Sequence, residues 1–425
     1  MMQLFKRPTR SITRRGLALG SVCAVAVAVA VGAGGASGAT KAGGGNLTLW
    51  QWQAGTPYIQ VFKDAGTRYS KAFGGNLSIV SVPFTNYFTK FKTAIAAGAV
   101  PDVMEMSWTG DYRDLINANA LLPLDKYLKT GFPKFNGPVM KSLTYKGHVY
   151  GIPMDLNTLT IAYNEGIFQK LGLSVPKSFA QLLALAKPLR AAGYQPLAVN
   201  IKDGWPGGDL WFSQVAYTDP TETLIRKAEV GGASWNNAAF IRAAQNVQDM
   251  ASSHLLADGA QSLSFTDLPA LFGSQQAAMV YPVGNFDTPL LDAADGGKFQ
   301  YGLFPFPPLN YPGAKPVATG GPAIIFSIPA KAKNVAGAVN FIREATNKAA
   351  FAELVKNNYI PSAPANISGN TNPIYKTMVG FQATAQTRAI FVPAVYTALL
   401  NGIQGLLAGQ MTAAQVAQSM QAAAG

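Results

Sequence analysis

The chain has 425 residues, enough for two or three domains, and 48% of them are hydrophobic while only 13% are charged. This composition excludes a disordered protein and indicates a large buried core. The formal net charge is +13, but the basic residues are scattered singly and form no stripe interleaved with aromatic residues. We therefore expect no nucleic-acid partner.

The first forty residues have the pattern of an export signal. A basic region ends at Arg14–Arg15, an apolar stretch rich in Ala and Val follows, and small residues lead to a cleavage site after Ala39. The adjacent arginines and the mildly apolar stretch fit the twin-arginine export route, and they also fit an ordinary secretory signal, so both routes remain open. We predict that residues 1–39 are a signal peptide. The protein is then exported to the periplasm or outer cell surface and is soluble after cleavage.

Cys23 is the only cysteine of the chain and lies inside this signal. Residues 20–22 form a poor lipobox, because Val22 is bulky where a small residue is expected. Cleavage after Ala39 is therefore favoured over lipid attachment at Cys23. A chain that begins at Thr40 has no cysteine, which excludes disulfides, thiol catalysis and thiolate metal sites.

Between residues 46 and 106 the hydrophobic pattern predicts a β-α-β-α-β order. Strands are predicted at 46–52, 77–82 and 103–106, with helices at 58–73 and from Tyr87 to near Gly98. This order implies a parallel sheet with right-handed crossovers. Ligands of such sheets bind beyond the carboxyl ends of the strands.

The stretch 145–164 is unusual because it combines an apolar run with a carboxylate. It begins with a polar turn, continues as an extended segment in which Pro153 argues against a helix, and ends in an apolar strand at 158–163. Burying Asp155 costs several kcal/mol unless the carboxylate is paired or hydrogen-bonded. We interpret this stretch as the first crossing between two lobes and expect Asp155 to face the cleft between them.

The rest of the chain alternates between helical and extended patterns. Residues 301–308 are extended and rich in proline, which is typical of a return crossing. Beyond residue 345 the chain is mainly helical. The other predicted elements are helices at 179–192, 210–217, 236–252 and 336–345, strands at 194–199, 277–281 and 323–328, and a Trp/Gly/Pro loop at 202–209.

Several short motifs follow one another in an order and spacing that one family shares. They are Ala99–Val103, Leu121–Asp125, Tyr150–Pro153, Tyr163–Asn164, Gln276–Met279, Gly284–Phe286, Gly320–Gly321, Ala338–Ile342 and Ile360–Ser362. By these motifs the chain resembles the extracellular sugar-binding proteins of ABC importers, the group that includes maltose-binding protein. The resemblance covers nearly the whole chain after the signal.

The resemblance implies an α/β fold of the two-lobe periplasmic-binding-protein type (type II), in which each lobe is a mainly parallel sheet flanked by helices. Three hinge crossings join the lobes. Mapped onto this sequence, the N-terminal lobe is 40–156 plus 302–346, and the C-terminal lobe is 157–301 plus 347–425. The implied function is to bind a mono- or oligosaccharide in the inter-lobe cleft and deliver it to the transmembrane subunits of an ABC permease. We expect a monomer.

A sugar-binding cleft needs flat aromatic surfaces for the C–H faces of the sugar and polar side chains for its hydroxyl groups. Asp155 matches the position where the family often has a hydroxyl-binding carboxylate, and Gly320 and Gly321 would let the backbone approach the ligand closely. At Asn285–Phe286 the family commonly has a tryptophan instead. The candidate ligand-binding residues are Gln51, Trp52, Gln53, Glu105, Trp108, Asp155, Asn157, Trp205, Asn285, Phe286, Gly320, Gly321 and Arg388.

The competing class is a secreted glycoside hydrolase, which needs two carboxylates facing each other across the scissile bond. Glu105 and Asp155 could converge in the cleft, but hinge motion would disrupt the fixed separation that catalysis requires. The two histidines, His148 and His254, lie in a turn and at a helix end, and neither position indicates a catalytic base or a metal pair. We expect a binding protein without cofactor or metal. The alternatives are the same fold with a non-sugar solute (a polyamine or an organic anion) and, less favoured, the hydrolase.

Overall fold

The computed structural model describes residues 42–106, 110–309, 316–363, 369–382, 385–387 and 392–425. All of them belong to one compact unit, Ala39–Gly425. The strands are β1 (Leu47–Gln51), β2 (Leu77–Ser81), β3 (Val103–Met106), β4 (Thr144–Tyr145), β5 (His148–Val149), β6 (Ile152–Pro153), β7 (Asp155–Asn164), β8 (Gln195–Val199), β9 (Ala277–Val283), β10 (Tyr301–Phe304), β11 (Thr319–Pro322), β12 (Ile325–Ser327), β13 (Ile360–Pro361) and β14 (Gln386–Thr387).

The helices lie mainly between these strands and at the C-terminal end. In chain order they are α1 (Tyr58–Phe73), α2 (Phe84–Ala97), α3 (Gly110–Asn117), α4 (Gly137–Ser142), α5 (Glu165–Lys170), α6 (Phe179–Ala184), α7 (Ala186–Ala191), α8 (Trp205–Thr218), α9 (Thr223–Glu229), α10 (Ala238–Ser252), α11 (Asp267–Gly273), α12 (Thr288–Asp295), α13 (Val335–Ala345), α14 (Lys348–Lys356), α15 (Pro373–Gln382), α16 (Pro393–Leu407) and α17 (Ala413–Ala424). None of them is both long and apolar enough to cross a membrane.

The first sheet has the strand order β2-β1-β3-β12-β6. Strand β1 is parallel to both β2 and β3, which confirms the predicted β-α-β-α-β order. Helix α1 forms because apolar residues recur at helical spacing and bury one face, on which Val61, Phe62 and Ala65 are each at most 2% exposed. It packs against α13 and α14, so these late helices belong to the first lobe.

The second sheet is built around the ten-residue strand β7 and has the order β14-β11-β7-β9-β8. Strands β10 and β13 also pair with β7. The second core lies against this sheet and includes Trp211, which is fully buried in α8 and donates its indole N–H to the Phe240 carbonyl at 3.1 Å. Trp211 therefore belongs to the core of the second lobe.

The predicted return crossing at 301–308 is wrong in position. Residues 301–304 form β10, which runs antiparallel to β7, and β11 pairs with β7 as well. The chain returns to the first sheet only between β11 and β12, which pairs with β3 and β6. Sheet membership therefore assigns residues 302–322 to the second lobe, whereas the predicted boundaries gave them to the first. The pattern failed because an antiparallel strand and a crossing are both extended and apolar.

The predicted loop at 202–209 is also wrong, because α8 begins at Trp205. A 3₁₀ turn at 201–203 ends at Gly204, whose φ of 79° suits glycine, and Pro206 is tolerated in the first turn of a helix. Gly208 allows α8 to approach α16, since a Cβ atom there would lie 2.9 Å from the Cδ2 atom of Leu400. The glycines serve close helix packing rather than a loop.

Candidate functional site

Glu105 lies at the carboxyl end of β3, next to the segment that follows β1. Its carboxyl group accepts hydrogen bonds from the Trp52 backbone N–H at 3.0 Å and from the Gln53 side-chain amide at 2.5 Å. Gln51 completes this corner by donating to the Ser81 hydroxyl and accepting from the Gln53 backbone N–H. The strand ends thus bring together three candidate residues, Gln51, Gln53 and Glu105, and all three are buried.

Burial raises the pKa of Glu105 from its ordinary 4.5 to about 8, although the hydrogen bonds from Gln53 and Trp52 act in the opposite direction. The charge of Asp155 raises this pKa further. The physical cause is the cost of removing a carboxylate from water when no cation is beside it. Glu105 therefore holds a proton at neutral pH far more readily than a solvated carboxyl group does.

Asp155 lies where the three crossings between the sheets meet. It begins β7 after the first crossing, and its carboxyl group accepts the Ile324 backbone N–H of the second crossing at 2.9 Å. Its backbone pairs with Pro361 of β13, on the third crossing. The Tyr58 hydroxyl of α1 also donates to the carboxyl group, and the Asn285 side-chain amide lies 3.5 Å away. Asp155 is completely buried and links all three crossings to α1.

Burial also raises the pKa of Asp155, to about 7, while hydrogen bonds from Tyr58 and Ile324 lower it. The pKa of Tyr58 is raised well above 10 by burial and then by the Asp155 charge, so Tyr58 remains a hydrogen-bond donor at neutral pH. We expected Asp155 to offer its oxygens to a ligand. In the structure, both oxygens accept hydrogen bonds from the protein itself.

Three aromatic rings stack beside Asp155 and span the lobe junction. Tyr58 lies parallel to Tyr359, with ring centroids 4.1 Å apart, and it also stacks on Phe286 at 6.2 Å. Phe286 follows β9 of the second sheet but packs against the core of the first lobe, and its ring also contacts Phe265. The stack therefore connects α1, the third crossing and the second lobe.

Asn285 and Asn157 hold the loop after β9 against β7. The Asn285 side chain donates to the Leu156 carbonyl at 2.8 Å, and the Asn157 side-chain oxygen accepts the Asn285 backbone N–H at 3.0 Å. A Cβ atom on Gly284 would lie 2.0 Å from that Asn157 oxygen, so only glycine permits this approach. The side-chain oxygen of Asn285 is buried and has no hydrogen-bond partner.

Two candidate tryptophans, Trp52 and Trp205, are only partly buried. Trp52 makes edge contacts with Phe84 at 5.3 Å and Tyr87 at 4.7 Å between ring centroids. Trp205 begins α8 and packs at the margin of the second core.

Gly320 and Gly321 lie in β11, where they pair with Thr158 and Asn157 of β7. The close approach at Gly320 is made to the backbone of β7, because a Cβ atom there would lie 2.4 Å from the Asn157 carbonyl oxygen. Trp108 and Arg388 lie outside the described residues.

Neither of two prominent cavities in the described part of the chain is lined by the candidate residues. The larger, about 1120 Å³, lies between α14 and the segments around Tyr301 and Asn372. The smaller, about 620 Å³, lies between the lobes and is lined by α3 and the hairpin β4–β5 on one side and by Glu229, Val392 and Pro393 on the other. We attach the candidate site to the junction because the carboxyl ends of β1 and β3 meet there, whereas the larger cavity contains none of the candidate residues. Within the same described ranges, no three His, Cys, Asp or Glu residues form a metal-binding group.

Sequence reasoning missed Tyr58 and Tyr359. Tyr58 was assigned only to a helix face, although it stands at the start of the helix that follows the first strand end, and this position could have indicated it. Tyr359 directly precedes the 360–362 motif, but no local pattern indicates its stacking partner. Both tyrosines are fully buried.

Comparisons with known proteins agree with this fold. Residues 33–350 match the family of bacterial extracellular solute-binding proteins. The chain is 25% identical over 289 residues to a multiple sugar-binding protein of Streptococcus mutans, and the match covers 65% of each chain. A chitin oligosaccharide binding protein has the same fold, with a TM-score of 0.78 at 22% identity, covering 89% of this chain and 98% of that one. A structure from work on xylan utilisation by Caldanaerobius polysaccharolyticus has a TM-score of 0.77 at 24% identity, covering 89% and 99%.

The fold is that of two-lobe α/β proteins, and the matching family consists of solute-binding proteins rather than enzymes. Since the family match spans most of the sequence, the chain belongs to the bacterial extracellular solute-binding proteins. The match to the curated relative spans about two thirds of that relative's length.

Proposed function

We propose that this protein is the substrate-binding component of an ABC sugar importer. It binds a mono- or oligosaccharide between its lobes and delivers it to the transmembrane subunits of a permease. It acts as a monomer after export, outside the cytoplasmic membrane, with residues 1–39 removed.

The observation that carries this proposal is the convergence at Asp155. Tyr58 of the first lobe, Asn285 of the second and all three crossings meet around one buried carboxyl group. A ligand that contacts both lobes here changes the relative stability of the open and closed forms by its differential affinity for them. The sugar-binding name of the S. mutans relative supports a sugar as the ligand.

We assign the direct sugar contacts to the partly accessible residues Trp52, Trp205, Asn157 and Phe286. Aromatic rings stack on the apolar faces of sugars, and an amide satisfies hydroxyl groups. The buried residues support these contacts from behind by hydrogen bonds within the protein. They are Gln51, Gln53, Glu105, Asp155 and Asn285.

A cationic solute such as a polyamine is the second candidate, and one observation favours it. Burial raises the pKa of Glu105 to about 8 and the pKa values of Asp155 and Asp287 to about 7. A cation near these groups would offset the cost of burying their charged forms.

The test is a thermal-shift and tryptophan-fluorescence screen of the chain that begins at Thr40. The panel contains mono- and oligosaccharides, with spermidine and citrate for the competing solute classes. A ligand at 100 times its Kd stabilises the folded state by about 2.7 kcal/mol, which is readily measured. We expect at least one neutral sugar to raise the Tm and to be recovered uncleaved.

Trp205→Ala and its conservative partner Trp205→Phe locate the site. We expect the alanine variant to lose the sugar response and the phenylalanine variant to retain much of it, because a flat ring remains. If only spermidine raises the Tm, the ligand is a cation and not a sugar. If the sugar is recovered cleaved, the protein is a hydrolase.

A further inference from the structure

The two lobes carry a charged contact that lies apart from the junction around Asp155. Arg113 of α3 approaches Glu229, the last residue of α9, with the Nη1 and Oε1 atoms 3.6 Å apart. The two side chains are only 10% and 11% exposed. Helix α3 follows β3 and is tied to α2 of the first lobe by the Lys92–Asp111 ion pair, whereas α9 packs on the core of the second lobe through Ile225 and Ala228.

The surroundings of this pair come from both lobes. Arg113 also lies over the Tyr145 ring at 4.7 Å, and α16 of the second lobe packs against α3. The cavity of about 620 Å³ is lined by both partners of the pair, with Val230 exposed beside Glu229. The pair therefore forms part of the wall of this cavity between the lobes.

We propose that Arg113 and Glu229 are positioning residues for ligand retention: their contact across the lobe boundary stabilises the closed form without touching the ligand. The physical basis is that opening the lobes separates two opposite charges that are largely withdrawn from water. Such coupling between a remote contact and a binding site typically changes affinity about five- to 150-fold. This inference rests on the proposed function, because it assumes that closure retains the ligand.

Charged groups from several elements face Glu229. Arg113 and Asp114 on α3 and Lys146 of the hairpin lie on the first-lobe side. Arg226 lies on α9 itself and forms an ion pair with Glu222, the residue that precedes the helix. Lys141 on α4 acts on Glu222.

Each partner of the pair offsets the cost of burying the other. Burial raises the pKa of Glu229 from 4.5 to about 7, Arg113 and Arg226 lower it, and Glu222 raises it again. Removing one partner therefore raises the cost of burying the other charge when the lobes close.

A ligand-independent readout tests the contact itself. The chain from Thr40 has no cysteine, so Lys129→Cys in the first lobe and Lys177→Cys in the second can carry spin labels for distance measurement. Without any ligand, Glu229→Ala and Arg113→Ala should increase the population of long inter-lobe distances. Glu353→Gln, which breaks the Arg68–Glu353 ion pair within the first lobe, is the matched control and should leave the distances unchanged.

Ligand affinity provides the second readout, with the sugar identified by the screen above. We expect Glu229→Ala to raise the Kd about 10-fold and Glu353→Gln to leave it unchanged. Arg113→Lys, which keeps the positive charge, should restore most of the affinity that Arg113→Ala loses. A purely structural role in folding would not be rescued by the charge alone.

The two proposals fail in different ways. If the distance distributions of Glu229→Ala and Arg113→Ala match the wild type, the inter-lobe contact does not stabilise closure, whatever the protein binds. If the distances shift but no sugar binds the wild type, the contact survives and the proposed ligand class fails. An unchanged Kd in Glu229→Ala, with sugar bound, would also overturn the inference.

Discussion

At the scale of single residues, the junction is dominated by carboxyl groups whose pKa values are raised by burial. Glu105 has a pKa of about 8 in the folded protein, whereas a solvated glutamate has 4.5. Between these values the folded chain binds more protons than the unfolded chain, so stability falls as the pH rises from 5 to 8. Glu105→Gln should reduce this change of unfolding free energy with pH. One titrating group contributes at most about 1.4 kcal/mol per pH unit to it.

Urea unfolding at pH 5, 6, 7 and 8 measures this effect. Asp155 and Asp287 contribute slopes of the same sign, so the variant should retain part of the pH dependence. Asp258→Asn is the control, because Asp258 is exposed and Arg190 lowers its pKa, which keeps its titration below this range. A Glu105→Gln slope equal to that of the wild type would show that Glu105 is charged throughout.

The two stacked tyrosines offer a matched pair of hydroxyl deletions. The Tyr58 hydroxyl donates to Asp155, whereas the Tyr359 hydroxyl is buried without a hydrogen-bond partner. Tyr58→Phe should cost about 1–3 kcal/mol of unfolding free energy, because a buried acceptor loses its donor. Tyr359→Phe should be neutral or stabilising, since it removes an unsatisfied buried group. Equal losses in both variants would contradict this assignment when measured by urea unfolding.

At the scale of elements, strands and helices with a regular hydrophobic periodicity were predicted correctly, whereas the long-range pairing of strands was not. The first three strands and α1 followed from local alternation and helical spacing, because those patterns record which face is buried. Strand β10 looked like a crossing because the sequence around Tyr301 does not show its pairing with β7. Helix α8 looked like a loop because Gly207 and Gly208 usually break helices, and only the packing of α16 explains them.

The same limit holds for the candidate site. Strand ends correctly brought Gln51, Gln53 and Glu105 together, since the parallel order fixes where the ends meet. That Asp155 is enclosed by Tyr58 and the second crossing depends on contacts more than 90 residues apart in sequence. No local pattern encodes such contacts, so the sequence could not distinguish a ligand contact from a buried support.

Two glycines in helices should respond to alanine in opposite directions. Gly208→Ala places a Cβ atom 2.9 Å from Leu400, between α8 and α16, and should destabilise the fold by about 1–3 kcal/mol through overpacking. Gly380 lies in α15 with open space around it, so Gly380→Ala should stabilise by about 0.5–1 kcal/mol. Thermal and urea unfolding of both variants check this, and a stabilising Gly208→Ala would mean that the two helices are not in close contact.

At the scale of the whole molecule, the burial of the junction requires motion. Asp155, Asn285 and Gln51 are all fully buried, so a solute can reach the space in front of them only when the lobes separate. Lobe motion of this kind is expected where three crossings absorb the change. The core beside α1 and the core beside α8 are distinct clusters, and a third cluster joins side chains of both sheets. We therefore expect binding to be coupled to closure, and a closed chain should resemble the present structure.

Small-angle X-ray scattering of the chain from Thr40 tests this coupling. A compact chain of this length has a radius of gyration of about 21 Å, and the ligand-free protein should exceed the value measured with saturating sugar. Without ligand, Glu229→Ala should have a radius of gyration equal to or larger than that of the wild type. Saturating sugar should still reduce the radius of gyration of the variant. If calorimetry shows binding while the radius of gyration of the wild type does not change, the sugar enters without lobe closure. The ligand site would then lie outside the junction, with the inter-lobe cavity beside α3 as the place to look next.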